Sequence, residues 1–158
     1  MATHMTMMPA RPSIAGQVRS LYIQAGRFPV TILGLMMRVA IGMIFLKSGL
    51  TKIASWDITI SLFQDEYMVP LLPPELAAYL AAAVELGCSA LIFAGFATRL
   101  AALPLLGMTL VIQTFVYPQN WIEHLTWASM LLFLISRGPG MLSVDHVIRR
   151  WLEQHWGY

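Results

Sequence analysis

The chain alternates long apolar stretches with short polar breaks, and four of the stretches read as membrane-spanning helices. They run from about Pro29 to Leu50, Glu75 to Phe96, Leu100 to Tyr117 and Trp121 to Ser136. A span takes about 20 apolar residues, so the fourth is short. Residues 51–74 mix acids, aromatics and three prolines. That segment is too polar to span and predicts an outer loop containing a short helix. Thr98–Arg99 and Pro118–Asn120 predict tight turns, and Pro104 predicts a kink that neighbouring groups must satisfy. Arg137-Gly138-Pro139-Gly140 stops the last span.

Two flanking segments have a different period. Between Ser13 and Gly26 the apolar residues Ile14, Val18, Leu21, Tyr22 and Ala25 recur at helical spacing. After Ser143, a natural N-cap, Val144, Val147, Ile148, Trp151 and Leu152 share one face. Both patterns predict amphipathic helices lying at the membrane surface. The expected organisation is a tail and interfacial helix over 1–28, a bundle over 29–136 with its outer loop at 51–74, and an interfacial helix over 137–158. Residues 1–12, rich in Met, Pro and Thr, are expected to be disordered. The fold class is all-α, an integral membrane four-helix bundle.

Composition narrows the class further. The chain has 158 residues, of which 58% are hydrophobic and 11% charged; its mean hydropathy is +0.66. Soluble domains carry about 25% charged residues, so the lipid bilayer is the expected surroundings. The net charge is +2, and the basic residues are dispersed, which argues against a nucleic-acid partner. The single cysteine, Cys88, rules out an internal disulfide or a thiol pair. His4, His124, His146 and His155 form no metal-ligand run, so no metal site is expected. The first apolar run begins near Phe28, is too long for a signal-peptide core and has no small-residue cleavage site after it. It is expected to be a retained span.

Orientation follows from the flanking cations. Arg11, Arg19, Arg27, Arg99, Arg137, Arg149 and Arg150 fall on one side, against Lys47 and Lys52 on the other. The arginine-rich side should be cytoplasmic, so the expected topology is N-in and C-in. Trp56, Tyr67, Tyr117 and Trp121 would form an outer aromatic belt.

Charges within the spans are the strongest pointers to chemistry, because each costs about 2.5–3.5 kcal/mol or more at the bilayer centre. Arg38 lies nine residues after Pro29 and Glu85 eleven before Phe96, roughly 13 and 16 Å from the same ends. The similar depths predict an Arg38–Glu85 ion pair, which either locks two helices or lines a polar cavity. Arg38, Gly42, Phe45, Gly49 and Lys52 follow steps of four and three and share one face; the glycines suit close helix approach. Lys52, Gln113, His124 and Trp127 gather toward the outer side. They form either a polar interfacial cap or a pocket suited to a quinone-like head group, where carbonyls need donors and a histidine can pass a proton. The candidates for catalysis are thus Arg38, Glu85 and His124, and those for binding are Lys52, Gln113, His124 and Trp127. Quinone is the one cofactor considered. No covalent-cofactor, haem or thiol-redox motif occurs.

The stretches LMMRVAIGMIFLKSGLTKI (35–53), AAAVELGCSALIFAGFATRLAAL (81–103) and YPQNWIEHLTWASMLLFLISRGPGMLSVD (117–145) resemble the DoxX family of small four-helix bacterial membrane proteins. The resemblance rests on Arg38, the Gly49–Lys52 step, Glu85, Gly95, Arg99, His124, the Gly-Pro-Gly turn, Ser143 and Asp145. It implies an accessory or subunit of a membrane redox system, quinone-linked in some relatives, with a protein partner or self-association. Two other readings remain. One is a non-enzymatic scaffold recruiting partner proteins through the amphipathic ends and outer loop. The other is a metal- or small-molecule-handling accessory, for which the only hint is Met5, Met7 and Met8.

Overall fold

The computed structural model describes residues 30–157. The surface helix expected over Ser13–Gly26, and the tail before it, lie outside the described residues. Those described are mostly helical, without a strand. The helices are α1 (Val30–Ala54), α2 (Trp56–Leu62), α3 (Pro74–Ala94), α4 (Thr98–Val111), α5 (Trp121–Arg137) and α6 (Val144–Trp156). Single π-helical turns extend α2 over Phe63–Tyr67 and α4 over Ile112–Val116.

Among the described residues, three helices are long and apolar enough to cross a membrane: α1, α3, and α4 with its π extension to Val116. The fourth, α5, has 17 residues. It packs on α1 and α4. The core joins Ile41 and Phe45 of α1, Ile92 of α3, Leu105 of α4, and Leu131 and Leu134 of α5. Leu100, Leu110, Leu125, Met43 and other large apolar side chains point outward. Arg38, Glu85 and His124 are buried. Apolar groups outside and charges inside reverse the distribution of a water-soluble domain and suit lipid as the solvent.

The α1–α3 contact sets the architecture. A Cβ added at Gly42 would come within 3.1 Å of the Phe93 ring, and one at Gly49 within 2.9 Å of Leu86 and 3.1 Å of the Glu85 Cβ. Small residues at an interface let backbones approach and gain dispersion contacts, the main attraction available in lipid. Seven residues forward on α1 match seven back on α3. At this register Arg38 is level with Ala97, twelve residues or roughly 18 Å from the level of Glu85. The expected Arg38–Glu85 ion pair therefore does not form. Depth counted from the sequence puts the ends of the two helices in one plane, whereas α1 projects nearly three turns past Gly95. Its projecting end packs against the Gly-Pro-Gly segment, where the Gly140 Cβ position lies 3.4 Å from Thr31.

Arg38 instead ties this end of the bundle together. It donates from Nε to Ile92 O at 2.8 Å, from Nη1 to Leu142 O at 2.6 Å and Pro139 O at 3.4 Å, and from Nη2 to Phe93 O. A cation at the carboxyl end of α3 complements the helix dipole there and adds a second donor to Ile92 O. Gly95, at φ +67°, ends α3 with the paired bonds Gly95 N to Ile92 O and Phe96 N to Leu91 O. The turn into α4 is Gly95–Ala97, one step before the expected Thr98–Arg99, which belong to the first turn of α4. Asp145 accepts from Ala97 N at 2.8 Å and Thr98 N at 3.2 Å, and its own N donates to Gly95 O at 2.9 Å. A carboxylate from α6 thus caps α4. As expected, Ser143 caps α6, accepting from His146 N at 3.2 Å.

Gly95→Ala should lower stability by about 2–4 kcal/mol, from left-handed backbone strain and overpacking. Its Cβ would lie 2.6 Å from Arg38 Nη2 and 2.6 Å from Ser143 Cβ. Gly107→Ala, with open space at its Cβ, should be neutral or stabilising. Thermal unfolding in detergent separates the two.

Candidate functional site: a cavity at the Lys52 end

At the opposite end from Arg38, the helices diverge around a cavity of about 490 Å³. This lies within the range of small-molecule pockets. Its walls are mostly apolar, with Phe45, Val84, Met108 and Trp127 among them, and Phe63 and Tyr67 from the π turn after α2. Leu72, Leu80 and Val111 line it and are also exposed on the flank of the bundle, so the cavity opens sideways.

Two separate polar groups line this space. On one side Lys52 Nζ sits 2.9 Å from each Glu85 carboxylate oxygen and donates to Oε1. Ser48 Oγ donates to Glu85 Oε1 at 3.0 Å and accepts from Lys52 at 2.9 Å. Glu85 Oε2 has the lysine contact but no directed hydrogen bond. Ser48 and Lys52 are one turn apart on α1, and Gly49 between them brings α3 close enough for Glu85 to reach both. Glu85 is 2% exposed and Lys52 16%; Thr59 of α2 donates to Lys52 O at 3.0 Å and closes the turn behind it.

On the other side is His124, near the start of α5. Its Nδ1 lies 2.7 Å from Gln113 Oε1. Gln113 Nε2 donates to Pro118 O at 2.8 Å, which orients the amide so that its oxygen faces the ring. An amide oxygen only accepts, so Nδ1 carries the proton, and in the neutral imidazole Nε2 is the lone-pair nitrogen. The Trp127 ring packs edge-on against His124 at 5.1 Å and against Phe45 at 5.6 Å. These contacts fix the imidazole plane.

At the mouth, Tyr117 donates to Glu66 Oε1 at 2.6 Å. That hydrogen bond, helped by burial, holds the Tyr117 phenol well above the ordinary tyrosine pKa. Tyr67 packs edge-on between Phe63 and Tyr117, at 5.0 and 6.0 Å.

The cavity thus brings together Lys52, His124 and Trp127 with Glu85, which the sequence reading had kept in a separate centre with Arg38. Gln113 stands behind His124 and does not line the space. Arg38 lies at the far end of the bundle. Ser48, Tyr67, Tyr117 and Glu66 were missed as site residues. The one sequence signal for Ser48 was its four-residue spacing to Lys52 on the glycine face of α1. Among the described residues no cluster of His, Cys, Asp or Glu could hold a metal ion.

Apolar helices around a buried ion pair and a largely apolar cavity define a small helical membrane protein. The chain belongs to the DoxX family, whose model matches residues 33–118. The matched segment holds Arg38, Lys52, Glu85 and Gln113 and ends before His124. No curated protein and no solved structure matches the chain.

Removing one partner of a buried ion pair strands the other charge. Lys52→Met should destabilise by roughly 3 kcal/mol, and the double variant Lys52→Met/Glu85→Leu should recover most of that loss. A double-mutant cycle on thermal unfolding measures the coupling.

Proposed function

We propose that this protein is a four-span inner-membrane component of a redox system, with both termini inside, and that its cavity takes the head group of a quinone-type carrier. In this reading α5 is the fourth span, shortened because Trp121 and Glu123 already stand at the interface, and α6 lies on the inner membrane surface. The observation that carries the proposal is a side-opening, largely apolar cavity bounded by Lys52–Glu85 and His124. A lipid-soluble ring would enter between helices and meet a polar group on either side.

The chemistry of the donor set fits such a ring. Nε2 of neutral His124 accepts a hydrogen bond, so it suits a ring hydroxyl and can take its proton, while Gln113 holds the protonated imidazole through Nδ1–H. An oxygen on the opposite side of the ring would lie beside the Lys52 ammonium. Trp127 and Phe45 supply the aromatic wall. When bound, the carrier supplies the electron-accepting or electron-donating chemistry; the protein binds it, orients it and moves the proton.

The protein purified in native lipid discs should retain a quinone or quinol detectable by mass spectrometry. His124→Phe should reduce that retention about tenfold, the equivalent of one hydrogen bond of about 1.4 kcal/mol. Wild-type protein that retains no quinone but keeps a stable protein partner would overturn this reading in favour of the scaffold.

A further inference from the structure

A second recess lies at the Arg38 end, outside the cavity and independent of the quinone reading. It has a volume of about 460 Å³ and is lined by Arg99, Arg137, Arg149 and His146. The only acidic side chain in its wall is Asp145, whose two oxygens are taken by Ala97 N and Thr98 N. Arg137 has no carboxylate partner among the described residues. Arg99 reaches only Ser136 O, at 3.4 Å. Arg149 leans 3.6 Å from Glu153 in an exposed pair, an arrangement of little strength.

We propose that this recess binds the phosphodiester head group of an anionic phospholipid. Guanidinium forks match phosphate oxygens in geometry as well as charge. Basic pockets between membrane helices on one side of the bilayer are a recurrent form of such sites. Two features favour a lipid over a soluble anion. The first is depth: Arg99 lies in the first turn of α4 and Arg137 in the last turn of α5, the level at which head groups meet helix ends. Asp145 N, bonded to Gly95 O, anchors the start of α6 at the same level. The second is the rim, because Val30, Leu100 and Met141 line the recess and are all exposed. Acyl chains would cover that rim, and a free phosphate would leave it bare.

The full-length protein in discs of equal phosphatidylglycerol and phosphatidylcholine tests this by native mass spectrometry. The wild type should retain phosphatidylglycerol preferentially. Arg99→Gln and Arg137→Gln should each lower that retention about fivefold. Arg150→Gln, whose side chain lies outside the recess, should leave it unchanged. Equal retention of the two lipids by the wild type would overturn the proposal and requires no variant to fold. An equal loss in Arg150→Gln would reduce the effect to general surface charge and overturn it also. Displacement of the lipid by excess inorganic phosphate would assign the recess to a soluble anion instead.

Discussion

The close approach of α1 and α3 at Gly42 and Gly49 is the constraint on which the rest of the structure depends. A Cβ at either glycine would crowd α3 at 3.1 Å or less, and the two contacts fix one antiparallel register. Every polar feature inside the bundle follows from it. Lys52 and Ser48 reach Glu85 because Gly49 lies against the Glu85 Cβ. Arg38, well over ten residues away along the same face, is carried to the carboxyl end of α3, where it complements the helix dipole. One stripe of α1 thus supplies an ion pair at one end and a helix cap at the other.

This division gives the two ends different characters. At the Arg38 end, four carbonyls, the Gly95 turn and the Asp145 cap are mutually satisfied, and the polar groups serve to hold helix ends and the Gly138–Ser143 segment in place. At the Lys52 end the helices part. Pro104 lines the cavity and removes one backbone donor from α4, and the π turn over Ile112–Val116 re-aims Gln113 toward His124. The π turn after α2 brings Phe63 and Tyr67 over the opening. Inserted π turns are frequent at functional sites, and here both border the same cavity. In lipid there is little hydrophobic drive between helices, so a cavity of this size forgoes dispersion contacts that packing would otherwise supply. An occupant that restores those contacts is the natural complement.

Much of this was legible in the sequence, and the limits have physical causes. Three of the four expected spans were readable because lipid forces long apolar runs, and the shared face of Arg38, Gly42, Phe45, Gly49 and Lys52 was readable because helical periodicity is rigid. Burial of Arg38 and Glu85 followed from their cost in hydrocarbon. Their partners did not follow. Depth counted from span ends assumes that helices start in one plane, and a projection of nearly three turns by α1 was enough to put Lys52 rather than Arg38 beside Glu85. The glycines held the information on register, yet only the identity of Phe93 and Leu86 as their opposite numbers converts it into distances. The π turns and the Asp145 cap left no recognisable local signature. The Gln113–His124 contact was anticipated only as a shared depth.

The pairing of Lys52 with Glu85 is the claim from which the register, the cavity and the role of Arg38 all follow. Solid-state NMR in lipid, with ¹⁵N in the lysine ammonium, ¹³C in the glutamate carboxyl groups and Lys47 replaced by arginine, measures it without disturbing either partner. Strong dipolar coupling between the labels, as a 2.9 Å nitrogen–oxygen contact requires, is the expected result. Absence of any lysine–glutamate coupling in folded protein would contradict it.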